Sequence, residues 1–279
     1  MRSKPLLGTF VEILVDIDHS AHINEASVNQ AINNAYQIIE DVQKMMSFHD
    51  AKSELSLLNA TAYRKKVEVH PWLYQVLCRA QKIYKLSQGL FDCTVASRLI
   101  QFEYLPSHTQ NIKTVIAQSA VQLLANNQVR FLQPIMVDLG GIAKGFAVDL
   151  AIHYLKKCGI QQAVVNAGGD LRVLGTVAEK IYVRNPKQPV KTKFIGELSN
   201  GAIATSASYF TEKEYKEKKV SHLIHPLTGR AIVENMSFSV IASRAWLADA
   251  LTKVVAVSLD TNHPCLARFG AHAILIESF

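Results

Sequence analysis

The chain has 279 residues, 49% of them hydrophobic, enough to bury a substantial core in one large domain or in two lobes sharing a cleft. With 30 Lys and Arg against 23 Asp and Glu, its net charge of +7 favours an anionic ligand only modestly; the basic residues are scattered, without the aromatic interleaving that tracks a nucleic-acid backbone, so nucleic acid is not expected as a partner. Cys78, Cys93, Cys158 and Cys265 form no C-x-x-C pair, which argues against a zinc knuckle or a dithiol centre and leaves reduced, partly buried thiols.

The start M-R-S-K-P-L-L-G-T-F-V-E is basic, but Pro5, Gly8, Thr9 and Glu12 interrupt any apolar leader, and no later stretch is long enough to span a bilayer. The expectation is a cytoplasmic protein without a membrane anchor. Residues 10–17 alternate and predict a strand. Residues 26–46 carry Ala31, Ala35, Ile38, Ile39, Val42 and Met45 at helical spacing. The run M-S-F-H-D-A-K-S-E-L-S-L-L-N predicts an extended piece entering a short helix, with Ser53 capping the turn that contains Glu54. Pro71 opens a helix through Leu86 that ends near Gly89, and residues 91–100 continue into the core. Residues 102–130, with their S-H-T-Q-N stretch, are expected to be peripheral.

Two hydrophobic strands are then predicted to run into glycine pairs flanked by carboxylates, in V-D-L-G-G-I-A-K-G (137–145) and V-V-N-A-G-G-D-L-R-V-L-G (164–175). A helix is expected over 145–157, short strands at 180–184, 202–205 and 222–224, and a solvated loop in E-K-E-Y-K-E-K-K at 212–219. Strands and helices mix without a regular βαβ period, and nothing repeats beyond the doubled Gly turn. The pattern favours an α+β fold over a doubly wound sheet.

A Gly pair lets backbone amides approach a ligand where a Cβ would collide, so two such turns point to a phosphate-bearing ligand lying along backbone. Asp138 and Asp170 beside them suit a metal, a ribose hydroxyl or a loop cap, and Lys144 sits where its ammonium and a helix N-terminus face a phosphate together. Neither turn has Walker A or dinucleotide-fingerprint spacing. In S-H-L-I-H-P-L-T-G, His222 and His225 are candidates for a general base or plain turn residues, and H-x-x-H lacks a third zinc ligand at a recognisable spacing. Asp249 lies in the apolar run W-L-A-D-A-L-T-K-V-V-A-V, where a charge must be ligating or paired. It either binds a metal or pairs with Lys253 one turn on.

Eight segments in order, P-L-L-G-T-F-V-E-I, M-S-F-H-D-A-K-S-E-L-S-L-L-N, S-Q-G-L-F-D-C-T-V, V-D-L-G-G-I-A-K-G-F-A-V-D, V-N-A-G-G-D-L-R-V-L-G, A-T-S-A-S-Y-F, S-H-L-I-H-P-L-T-G and A-D-A-L-T-K-V, together resemble the FAD:protein FMN transferases, the ApbE-like flavin transferases, in a short cytoplasmic form. The resemblance implies a bilobed, T-fold-like α+β architecture: one domain over residues 1–279 whose two lobes share a ligand cleft. It implies FAD as substrate, Mg2+ on its pyrophosphate, and transfer of FMN to a Thr or Ser hydroxyl of an acceptor protein carrying a D-G-x-T-[S/A]-like motif, with AMP leaving. The implied FAD contacts are Met46, Ser47, Phe48, Glu54, Phe91, Asp92, Asp138, Gly140, Gly141 and Lys144, and, further along, Ala167, Gly168, Gly169, Asp170, Thr205, Ser206 and His222. His222 and Asp249 are the implied catalytic residues, and the Ala143 carbonyl, Asp249 and Thr252 the implied metal ligands.

Two departures stand out. His225 and Leu227 replace the acid and the base of the family's H-I-I-D-P-R-T-G, and Lys253 takes the i+4 position that a Thr holds in A-D-x-L-x-T. They leave open a Lys253 ammonium in the metal's place, and a flavin-binding protein of the same fold without transferase activity.

Overall fold

A computed structural model describes residues 1–16, 24–108, 115–188 and 190–278. β1 (Arg2–Leu6) and β2 (Thr9–Val15) form an antiparallel hairpin. Val11 and Ile13 on one face of β2 are fully buried, whereas Phe10 and Leu14 on the other are 68% and 38% exposed, so this end of the sheet is covered on one side. The strand ends before the predicted limit, and Ile17 lies outside the described residues.

α1 (Glu25–Met46) starts where the Asn24 side chain accepts from the Ser27 N–H, and it buries Ala31, Ala35, Ile39, Val42 and Met46 along one stripe. Ser47 turns the chain back to extended backbone. α2 (Glu54–Thr61) begins at Ser53, whose Oγ accepts from the Ser56 N–H at 3.0 Å, a cap worth about 1 kcal/mol. After β3 (Val67–Glu68), α3 (Pro71–Leu86) fills its predicted span, with Pro71 in the first turn, where a missing N–H goes unnoticed. Asp92 caps a short turn, Oδ1 accepting from Thr94 N and Oγ1 at 2.7 and 2.6 Å, and α4 (Ala96–Gln101) follows.

The segment expected to be peripheral is partly core. β4 (Val121–Leu123) and β5 (Gln128–Phe131) join β3 in a sheet of order β3-β5-β4, and the fully buried Gln118 accepts from the Cys93 N–H at 3.0 Å. Thr109 to Asn111 of the S-H-T-Q-N stretch lie outside the described residues.

The rest of the chain supplies α5 (Ala143–Lys157), the hairpin of β6 (Ala163–Ala167) and β7 (Asp170–Leu174), and a separate hairpin of β8 (Glu179–Arg184) and β9 (Thr192–Leu198). β10 (Ala202–Ala207), β11 (Lys213–Tyr215), β12 (Lys218–Val220), β13 (Ser237–Ala242), α6 (Ala245–Ser258), α7 (Pro264–Ala267) and β14 (His272–Ile276) complete it. Among the described residues, β1-β2-β6-β7-β10-β13-β14 form a seven-stranded antiparallel sheet, which gives the expected α+β class. α5 lies over β6 and β7, α6 over β10 and β13, and α1 against α5.

Three local expectations need correction. Residues 137–139 belong to no strand, because Val137 is held by the Asn59 side chain and Asp138 by the Cys93 carbonyl instead of a ladder. Residues 222–224 make only an isolated bridge between Ile224 and Ala231. Residues 213–220 form the hairpin β11-β12, turned by Lys216 and Glu217 at φ of 48° and 63°. Its charges are solvated as expected, but the backbone is paired rather than looped.

Candidate active site

Widely separated pieces of chain meet around one cavity of about 720 Å3. The end of α1 brings Met46, then Ser47 and Phe48; the capped turn before α4 brings Phe91 and Asp92; the turn into α5 brings Asp138, Gly140, Gly141, Ala143 and Lys144; β10 brings Thr205 and Ser206; and His222 and Lys253 close the ring. An apolar, aromatic wall with a few convergent polar groups at one end is the usual form of a small-molecule site of this size.

The polar end is a cluster of two ammoniums and two carboxylates. Lys144 Nζ lies 3.0 Å from Asp170 Oδ2 and 3.7 Å from Asp249 Oδ2, and donates to the Gly140 carbonyl at 3.3 Å. Lys253 pairs with Asp249 Oδ1 and donates to the Asp249 carbonyl at 3.0 Å. Asp249 is fully buried, and its Oδ2 also accepts from the Gly145 N–H at 3.2 Å. That contact exists because α5 and α6 cross at a glycine: a Cβ on Gly145 would fall 2.3 Å from the Ala245 carbonyl oxygen.

Burial pushes the Asp170 carboxyl up to about 6, the Asp249 charge adding to the effect and Lys144 opposing it. Burial alone would raise Asp249 as well, but Lys144 and Lys253 hold it below the ordinary carboxylate range. For Lys144 burial works against the ammonium, yet Asp170 and Asp249 outweigh it and raise its pKa. Burial also raises Asp92 and Asp138; the Asp138 carboxylate accepts from the Gly140 and Leu139 N–H groups, so it caps the turn that carries Lys144.

His222 Nδ1 lies 2.5 Å from Thr211 Oγ1, which is itself 3.2 Å from the Ser208 carbonyl. In the tautomer where Thr211 gives its one proton to the Ser208 carbonyl, Nδ1–H of His222 donates to Oγ1 and Nε2 keeps its lone pair. Burial, with help from Lys253 and Lys144, lowers the imidazole pKa to about 4, so the ring is neutral near pH 7. His225 Nδ1 is buried without a hydrogen-bond partner, and among the described residues its side chain does not line the cavity.

Other residues singled out in the sequence sit behind or away from this wall. Asp170 and Asp249 reach the cavity through Lys144 and Lys253. Among the described residues Glu54, Ala167, Gly168, Gly169 and Thr252 do not line it. Glu54 Oε1 accepts from the His70 N–H at 2.7 Å and ties the start of α2 to the start of α3. Gly168 and Gly169 have φ of 61° and 104° and turn the β6-β7 hairpin, Gly168 directly against Thr9. A Gly pair between two strands has that second use, which spacing alone does not separate from a phosphate cradle. Sequence reasoning missed His49, Tyr104 and Phe210 as lining residues. His49 lies inside the M-S-F-H-D segment and Phe210 ends A-T-S-A-S-Y-F; Tyr104 lies in the stretch set aside as peripheral, and its hydroxyl is 2.5 Å from the Thr211 carbonyl.

The cavity suits a flavin, with apolar and aromatic side chains for a ring system and two ammoniums for phosphates. The implied metal set suits its ion less well. Thr252 Oγ1 donates to the Asp249 carbonyl at 2.6 Å and lies 2.7 Å from Ser206 Oγ, while both oxygens of Asp249 face N–H groups. Asp249 and Thr252 in this arrangement do not fit a divalent cation.

Comparison with known proteins agrees with the cavity. The model of the ApbE family matches residues 7–273. The FAD:protein FMN transferase of Rhodobacter capsulatus is 31% identical over 244 residues, covering 81% of this chain but 46% of its own length, so the chain spans about half of that relative. The enzyme of the same name from Vibrio cholerae is 27% identical over 231 residues, covering 77% of this chain and 69% of its own. Among solved structures, the ApbE protein of Thermotoga maritima superposes with a TM-score of 0.80 at 25% identity, over 98% of this chain and 93% of that one. The flavin transferase ApbE of Vibrio cholerae has the same fold, with a TM-score of 0.80 over 98% of this chain and 92% of its own at 24% identity. With a family match running from the turn of the first hairpin into the last strand, the chain belongs to the ApbE family.

Proposed function

We propose that this protein transfers the FMN moiety of FAD to a Thr or Ser hydroxyl of an acceptor protein and releases AMP. The observation that carries the reading is one cavity lined together by His222, Lys144 and Lys253 and by Met46, Phe48 and Phe91. In this reading the apolar wall takes the flavin, and the ammoniums face the diphosphate.

The acceptor hydroxyl oxygen attacks the flavin-side phosphorus. A new P–O bond forms there as the P–O bond to the adenosine phosphate breaks, and AMP leaves with that electron pair. His222 Nε2 takes the hydroxyl proton, for which the neutral ring held through Nδ1 is the right form. Positioning and charge neutralisation supply most of the acceleration in such transfers. No step is assigned to Mg2+, because Lys253 stands beside Asp249.

The acceptor is taken to carry a D-G-x-T-[S/A]-like motif, as the resemblance implies. The chain is read as one domain of two lobes sharing the cavity, supported by a core cluster that runs continuously from Val11 to Ala271. Among the described residues no helix is long and apolar enough to cross a membrane. A flavin-binding protein without transferase activity is the second reading, favoured by His225 and Leu227 at the positions of the family's acid and base. Acceptor-dependent release of AMP from FAD separates the two: binding of FAD with no AMP released would select the second.

A further inference from the structure

We propose that the ammonium of Lys253 is the resident cation of this site, standing where a divalent ion would have to sit, so that the protein holds the diphosphate of its ligand without metal. The identity of that ligand rests on the flavin-transferase reading; the cation itself does not.

Lys253 follows Asp249 by one turn of α6, which sets the two side chains on the same face of the helix. Its Nζ reaches the Asp249 carboxylate at Oδ1 and the Asp249 carbonyl at 3.0 Å, so the carboxylate oxygen nearest the cavity lysine already holds a cation. The stem is seated as well as the head. A Cβ on Gly141 would come within 3.3 Å of Lys253 Cε, so the glycine turn and the lysine are fitted to one another. With its side chain 19% exposed, Lys253 lines the cavity while Asp249 stays fully buried behind it.

The second carboxylate oxygen and the Thr252 hydroxyl are engaged too. Asp249 Oδ2 accepts from the Gly145 N–H and faces Lys144, and the Thr252 hydroxyl is turned back onto the Asp249 carbonyl. A Mg2+ ion needs open oxygen ligands in near-octahedral order and would meet two ammoniums instead. A buried aspartate must have a cation, and Lys253 already supplies it.

An ammonium has three N–H donors. Lys253 commits two to Asp249, while Lys144 donates to the Gly140 carbonyl and pairs in charge with Asp170. Lys253 therefore keeps an N–H for an anion in the cavity, and Lys144 stands beside it with a second ammonium. The carboxylates behind them fix where those charges stand.

The test has two arms on the intact protein. In the first, Mn2+ binding to the ligand-free protein is followed by electron paramagnetic resonance. The wild type is expected to bind none specifically, and Lys253→Thr, which frees Oδ1 and places a hydroxyl four residues after Asp249, is expected to gain a site. In the second, FAD affinity is measured in Mg2+ and in EDTA. It is expected to be unchanged in the wild type and to fall by about tenfold in EDTA for Lys253→Thr, the scale on which ligand-shell changes alter metal sites. Stoichiometric Mn2+ on the wild type, weaker FAD binding by the wild type in EDTA, or a folded Lys253→Thr that gains no Mn2+ site would each overturn the inference. The wild-type measurements decide the matter even if the variant does not fold. Failure to bind FAD under any condition would overturn the flavin reading, whereas the Mn2+ arm would still decide the cation.

Discussion

In the proposed mechanism His222 accepts the acceptor's proton as a neutral ring. Its Nδ1 is engaged by Thr211, and burial together with Lys253 and Lys144 favours the neutral ring. Replacement by Ala is expected to leave FAD binding intact and to slow FMN transfer by about a hundredfold, the lower end of general-base contributions, while His225→Ala has a smaller effect. FAD titration and acceptor modification, measured side by side, check this; a larger loss in His225→Ala would assign the base to the second histidine.

The pH dependence has a definite sign. The imidazole pKa is lowered from 6.5 in the unfolded chain to about 4 in the folded one, so the unfolded state binds more protons between those values. The stability this neutral ring contributes is complete above the higher value and is lost as pH falls through the window. An NMR titration should find the His222 ring neutral down to about pH 5, and a midpoint near the ordinary histidine value would contradict the burial argument.

Of the residues around the cavity, Gly140, Gly141 and Lys144 were legible from the Gly pair in L-G-G-I-A-K, whereas Met46, Phe48 and Phe91 were named through the family resemblance of M-S-F-H and L-F-D. The outcome at Lys253 was not legible. Periodicity puts Asp249, Thr252 and Lys253 near one another, but only the packed site shows that Lys253 takes Asp249 Oδ1 while Thr252 turns back to the carbonyl.

Among the elements, those with strong end signals were read correctly. α3 has Pro71 in its first turn and runs to Leu86 just before Gly89, and α2 has the Ser53 cap. Residues 137–139 read as a strand because they are apolar and alternate, but their backbone groups go to Asn59 and Cys93, partners too distant in sequence to be foreseen. The hairpin at 213–220 was hidden by its charge, since polarity signals solvent exposure and not the absence of a ladder.

The crossing of α5 and α6 gives an element-scale test. Gly145→Ala would drive a Cβ into the Ala245 backbone, which cannot move aside as a side chain would, and strain the N–H that holds Asp249. A loss of about 1–3 kcal/mol is expected, seen as a lower thermal midpoint. Lys157→Ala, at the exposed end of the same helix, should stay within about 0.5 kcal/mol of the wild type. Equal midpoints for the two variants would mean that the crossing is looser than described.

At the scale of the molecule, the antiparallel sheet, with α5 and α6 laid over it, sets the ends of its strands and helices around one cavity. The α+β class was visible in the mixture of periodicities. The convergence was not, because it brings together Phe48, Phe91, Lys144, His222 and Lys253, each separated from the next by dozens of residues or by a whole element. A resemblance spread over eight segments carried that information where local pattern did not.

The central claim is that this cavity moves FMN onto another protein. The measurement that tests it most directly is intact-mass spectrometry of an acceptor domain bearing a D-G-x-T-[S/A]-like motif, after incubation with this protein and FAD. The account predicts one added FMN, mapped by fragmentation to the motif hydroxyl and strongly reduced with His222→Ala. An unmodified acceptor, with FAD bound to the protein and left intact, would contradict it.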